Sequence, residues 1–231
     1  KELLTNKTDN YAVYARTTFS QDKRLLLIGN DVSSKYTRRT PEEYGRIADY
    51  IYRTIKKKKG NYMVFFPSYL FLKKVHEAFE LRMDETITCI CQESGMREEE
   101  KEESLVAFCV MGGIFGEGID LKREQLIGAI IVGTGLPQIS NEREILKEYY
   151  DKKEGMGFDY AYRYPGMNKV LQAAGRVIRT AEDVGIIELL DERFLQNDYQ
   201  RLFPREWEQR SVCQLSNLEE KLTTFWEEKH L

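Results

Sequence analysis

The chain has 231 residues, 42% apolar and 32% charged, with a formal net charge of −3. That balance excludes a disordered or fibrous chain, and the charge excludes a uniformly basic surface, so any nucleic acid must be held by local patches. No apolar run approaches the roughly 20 residues of a membrane span, no basic-then-apolar leader is present, and a start at Lys1 is expected of a piece of a longer protein.

The first strand is predicted over Arg24 to Ile28 and the first helix over Glu42 to Lys58. That helix ends in Lys56-Lys-Lys-Lys59, where cations offset the macrodipole, a simpler account of the run than a DNA patch. A second strand, Tyr62 to Phe66, ends in Pro67-Ser68-Tyr69 and leads into a helix over Tyr69 to Leu81. His76 on that helix and His230 near the end lack companions in sequence that would suggest a metal or a triad, and both are expected at the surface. In the third strand, Thr86 to Cys91, Cys89 and Cys91 share one face. The four cysteines, Cys89, Cys91, Cys109 and Cys213, have neither paired CxxC spacing nor the density of a disulfide scaffold, so reduced thiols and no metal are expected. Glu98 to Glu103 reads as a solvated helical face.

The fourth strand, Leu105 to Val110, runs into Met111-Gly-Gly-Ile-Phe-Gly-Glu117-Gly118-Ile119-Asp120. Gly113 and Gly118 have the separation of a Walker A loop, but Ile119 and Asp120 stand where lysine and a hydroxyl are required, so phosphates are not cradled there. The acidic groups suit hydrogen bonds from a ribose or from arginines; a tight turn with Asp120 capping a helix is the other reading. Ile127 to Val132 is the fifth strand, followed by Leu136-Pro137, and the weakly patterned Gly133 to Arg163 is an elaborated connection within one domain, carrying a helix over Glu142 to Lys153. The next helix, Met167 to Thr180, sets Gln172, Arg176 and Arg179 at i, i+4 and i+7 among Ala173, Ala174, Gly175, Val177 and Ile178. Small and apolar neighbours let it pack closely, leaving both guanidinium forks for a crevice where a polyphosphate fits. The strand Gly185 to Leu190 ends in Asp191-Glu192, which imitates a magnesium-binding pair; without a Walker A loop upstream, those carboxylates are expected to start the next helix. A last helix covers Leu218 to Glu228. Alternation of strands and helices predicts an α/β domain, a mostly parallel sheet with helices on both faces and ligands at the carboxyl ends of its strands.

In this order the pieces resemble the motor domains of superfamily 2 helicases, the DinG-like and XPD-like group above all. Tyr62 to Tyr69 is similar to motif IV, Gly113 to Leu121 to motif V, and Gln172 with Gly175, Arg176, Arg179, Asp183 and Gly185 to motif VI. Two places depart from the group: Gly116 replaces a usual Trp or Ser in motif V, and Thr17-Thr18-Phe19 stands roughly where a Ser-Pro-Phe element is usual. The resemblance implies one RecA-like three-layer domain over residues 1–231, the second of two in an ATP-dependent DNA helicase of DNA repair in the bacterial cytoplasm. It implies that the N-terminal motor domain of the same chain holds ATP and Mg2+, and that an iron–sulfur cluster belongs to that part if anywhere. By the same resemblance Arg179 is the arginine finger and Arg176 a second γ-phosphate contact, Gln172 and Gly175 adjoin the nucleotide, and Glu117, Gly118 and Asp120 sense it. Ser68, Tyr69 and Pro137 then line the path of single-stranded DNA on the opposite lip. The competing reading is a non-catalytic helicase-like module that binds nucleic acid or protein.

Overall fold

The computed structural model describes residues 20–91, 104–113, 126–178, 180 and 182–229. Seven parallel strands form one sheet: β1 (Arg24–Gly29), β2 (Asn61–Phe66), β3 (Ile87–Cys91), β4 (Ser104–Val110), β5 (Leu126–Val132), β6 (Gly185–Leu190) and β7 (Ser211–Cys213), in the order β3-β4-β2-β5-β6-β1-β7. β2, β5 and β6 are buried at nearly every position because helices cover both faces, which is why their sequences are continuous apolar runs rather than alternating ones.

The helices are α1 (Pro41–Lys57), α2 (Tyr69–Glu80), α3 (Asn141–Glu154), α4 (Tyr164–Ala174), the single turn α5 (Asn197–Gln200) and α6 (Leu218–Glu228). Side-chain oxygens of Thr40, Ser68 and Ser140 accept from backbone N–H groups in the first turns of α1, α2 and α3, and Pro41 supplies a fixed φ at the start of α1. One face of the sheet packs Leu27, Tyr62, Val64, Phe66, Val106 and Phe108 against α1, α2 and α6. The other packs Leu26, Met63, Phe65, Ala107, Ile131 and Leu189 against α4 and the segment from Phe194 to Trp207. In α1 alone, Ile47, Tyr50, Ile51 and Ile55 are buried, each contributing about 1.5–3 kcal/mol of apolar transfer.

The three-layer parallel arrangement is the expected one, with three differences. β7 is a seventh strand that three residues with a half-exposed Val212 do not announce. A π-helical turn, Asp159–Arg163, leads into α4, where buried Asp159 is ion-paired to both Arg163 and Arg201. Regular helix stops at Ala174 rather than Thr180: Gly175 still donates to Leu171 O, but Arg176 and Val177 donate to Ala173 O and Ala174 O in tightened turns. No helix among the described residues is long and apolar enough to cross a membrane.

Candidate functional site

Two groups of side chains lie at or near the carboxyl ends of the central strands. The first begins where β2 gives way to α2. Ser68 is half-buried and its Oγ accepts from Phe71 N at 3.3 Å, so the hydroxyl caps the helix while its proton remains able to donate. Tyr69 and Leu70, the first residues of α2, are exposed. Beside them Gly133, at φ +83°, follows β5, and a Cβ there would lie 2.9 Å from Ser34 Cβ and 3.8 Å from Pro67 Cγ. The turns after β1, β2 and β5 therefore meet with no room for a side chain at position 133. Further along the connection after β5, Pro137 is half-buried and Ile139 exposed. Arg39, from the turn after β1, donates to Ser34 O and lies 5.5 Å over the exposed Tyr36 ring and 5.4 Å over Phe71. Ser68 and Tyr69 thus lie where the turns after β1, β2 and β5 meet, and Tyr36 and Arg39 add an aromatic and a cation there that the sequence does not announce. Nothing local marks the Tyr36 to Arg39 turn; its neighbour Phe71 is 32 residues further along the chain from Arg39.

Asp191, directly after β6, is wholly buried. Oδ2 accepts from Ser34 N, Ser34 Oγ and Arg193, and Oδ1 from Arg193 N and Arg193 Nε. Burial by itself would raise this carboxyl; the Arg193 pairing and the backbone N–H donors outweigh it and hold the group below its ordinary value. Asp191 also caps the 3-10 turn Glu192–Leu195, as the sequence reading expects, and its occupied oxygens leave it unsuited to a magnesium ion.

The second group follows α4. Gly166 packs backbone to backbone against Thr134 O and Gly135. One turn on, Lys169 lies beside the Gly112–Gly113 turn after β4, where a Cβ on Gly112 would be 3.2 Å from Lys169 Cε. Burial, then the nearby Arg143 charge, lowers the Lys169 ammonium below its ordinary value. Gln172 and Gly175 are exposed and Arg176 is half-buried. The Arg176 charge reaches Cys109 near the end of β4, where burial pushes the thiol up to about 12 and the guanidinium opposes it. Lys169 and Arg176 thus set two cations beside the end of β4 and the turn that follows it, and Gln172, at i+3 from Lys169, shares that helix face. Lys169 was legible by that spacing and was missed. Beyond Arg176 the chain turns back toward the start of β6: Thr180 N and Oγ1 donate to Asp183, and a Cβ on Gly185 would overlap Val177 and fall 2.7 Å from Ile127 O.

Arg179, Glu117, Gly118 and Asp120 lie outside the described residues, as do Gly116, Thr17 to Phe19, His230 and Glu98 to Glu103. The lysine run behaves as a helix end rather than a patch: Lys56 pairs with Asp84 at 2.9 Å and Lys58 lies over the Trp226 ring.

The donors present suit phosphate oxygens, a guanidinium at Arg176, an ammonium at Lys169 and an amide at Gln172, whereas the Asp191 carboxylate is already taken up by Arg193 and Ser34. A model of the helicase C-terminal domain matches residues 51–210. The chain is 29% identical over 171 residues to the ATP-dependent DNA helicase XPD of Sulfolobus acidocaldarius, covering 72% of this chain and 31% of that protein. It is 27% identical over 209 residues to the 3'-5' exonuclease DinG of Bacillus subtilis, covering 87% of this chain and 22% of that one. The chain therefore spans a third or less of these relatives. A solved XPD helicase structure superposes with a TM-score of 0.66 at 24% identity, over 83% of this chain and 35% of that one, and shows the RecA-like α/β fold.

Proposed function

The chain belongs to the helicase C-terminal domain family, and on that premise we propose that it is the second motor domain of an ATP-dependent DNA helicase acting in cytoplasmic DNA repair. The observation that carries the proposal is the bordering of β4 and its glycine turn by Lys169 and Arg176. That stripe offers fixed positive charge to a nucleotide held by a first motor domain of the same protein. ATP with Mg2+ supplies the phosphoanhydride whose cleavage drives the motor; the residues here bind and orient. Arg179 is the arginine finger that offsets charge developing on the transferred phosphoryl group, and Arg176 holds the γ-phosphate in place. Glu117, Gly118 and Asp120 relay nucleotide state to the DNA lip, where the Tyr69 ring stacks on a base, Ser68 donates to a phosphate, and Pro137 sets the strand's path.

The test is Arg179→Ala in the full-length protein. ATP turnover is expected to fall by about 10³–10⁵, the range of arginine fingers in related phosphohydrolases, with single-strand binding largely retained. Equal loss of binding would assign Arg179 to the nucleic-acid site. Unchanged turnover would remove Arg179 from the ATP site, and a full-length wild type that does not hydrolyse ATP would favour a non-catalytic helicase-like binding module instead.

A further inference from the structure

On the face of the sheet opposite α4, at the β3 edge, α2 packs beside strand β3. His76 and Glu80 are i and i+4 on α2, and Cys89 and Cys91 are i and i+2 on β3, so each element presents two donors to the other. The imidazole and the two sulfurs offer ligand atoms that all lie within 4.8 Å of one another. They line a cavity of about 250 Å³ together with Glu80 and Met83. Glu80 Oε1 is 3.7 Å from His76 Nδ1, and the His76 ring is held from behind by an edge-on contact with Phe108 at 5.5 Å. None of these four residues takes part in the nucleotide stripe or the DNA lip.

We propose that His76, Cys89 and Cys91 bind a zinc ion, with Glu80 the acidic group within reach of the fourth position. Two sulfurs and an imidazole are a donor set for a borderline-soft cation and a poor one for magnesium or calcium. Tetrahedral zinc, with Zn–S near 2.3 Å and Zn–N near 2.0 Å, brings its ligand atoms to about 3.5–3.8 Å from one another. The side chains here reach that spacing by closing at most about 1 Å, within the freedom of their χ angles. Cys91 is hydrogen-bonded to both Cys89 and His76, so the three donor groups already converge on one another. Binding expels the remaining thiol protons to solvent, leaving two thiolates and a neutral imidazole on the metal. Among the described residues β3 is the outermost strand and pairs only with β4. A metal joining it to α2 clips that edge to the helical layer, a structural rather than a catalytic task.

The experiment uses the full-length protein stripped of metal and titrated with Co2+, which reports thiolate ligation by its charge-transfer absorption. Wild type is expected to develop that absorption to saturation at a single equivalent above any shared background, and Cys89→Ser/Cys91→Ser to lose it. Zinc affinity measured by competition is expected to fall by more than about 100-fold in His76→Ala, beyond what outer-shell changes alone produce. A second measurement needs no variant: with zinc bound, alkylation of Cys89 and Cys91, mapped by mass spectrometry, should slow by about tenfold or more and recover with chelator. Equal alkylation with and without zinc, or a cobalt spectrum retained by the double variant, overturns the proposal.

Discussion

Glu188→Gln tests how the core is balanced. Glu188 sits in the middle of β6 with no exposed surface; Thr54 Oγ1 on α1 donates to its Oε1 at 2.7 Å, and Oε2 has no hydrogen-bond partner among the described residues. Burial pushes this carboxyl up from 4.5 to about 8, with the Thr54 hydrogen bond acting the other way. In the unfolded chain the same group ionises near the ordinary value. Between about pH 4.5 and 8 the unfolded state therefore loses a proton that the folded state keeps, and stability falls as pH rises. Below that window both states are protonated and the full stability is present; above it the folded carboxyl ionises too and the dependence ends. At about 1.4 kcal/mol per unit, the window amounts to ~5 kcal/mol, a large share of the 5–15 kcal/mol typical of a domain. Glutamine keeps the shape and the acceptor for Thr54 but cannot ionise. Urea unfolding followed by the fluorescence of Trp207 and Trp226, at several pH values between 5 and 8, should show the variant's stability falling less steeply by about 1 kcal/mol per pH unit. The two proteins should be close at pH 5 and differ by ~3–5 kcal/mol at pH 8. Parallel stability curves would refute the assignment of a neutral buried acid.

Tyr69→Ala should weaken single-strand binding by ~1–3 kcal/mol, the worth of one stacked base, measured by fluorescence anisotropy, with turnover at saturating DNA little changed; unaltered affinity would remove Tyr69 from the lip. Gly166→Ala places a Cβ 2.7 Å from Thr134 O and 3.1 Å from the Gly135 carbonyl carbon, both backbone, so a loss of ~1–3 kcal/mol is expected in chemical denaturation. Gly45→Ala is the control: within α1 its Cβ meets only the tip of the flexible Arg82 side chain at 3.3 Å, and a gain of ~0.5–1 kcal/mol from helix propensity should follow.

The layered fold was legible because its signals are local. Apolar runs such as Tyr62 to Phe66 and Ile127 to Val132 mark strands buried on both faces, and the Ser68 and Ser140 caps mark helix starts within a few residues. The spacing of Gln172 and Arg176 predicts one helical stripe, whereas regular helix ends at Ala174 and Arg176 follows in a tightened turn that spacing alone does not announce. What chain order could not supply were pairings between distant segments: Lys169 over Gly112, Arg39 over Phe71, Thr54 on Glu188, Ser34 on Asp191, and His76 over Cys89 and Cys91. His76 looked solitary only because its companions stand thirteen and fifteen residues further on, across a turn. A strand and a helix state their own period in sequence, whereas the alignment of one element over another is decided by packing, and it is packing that brings ligand atoms within reach.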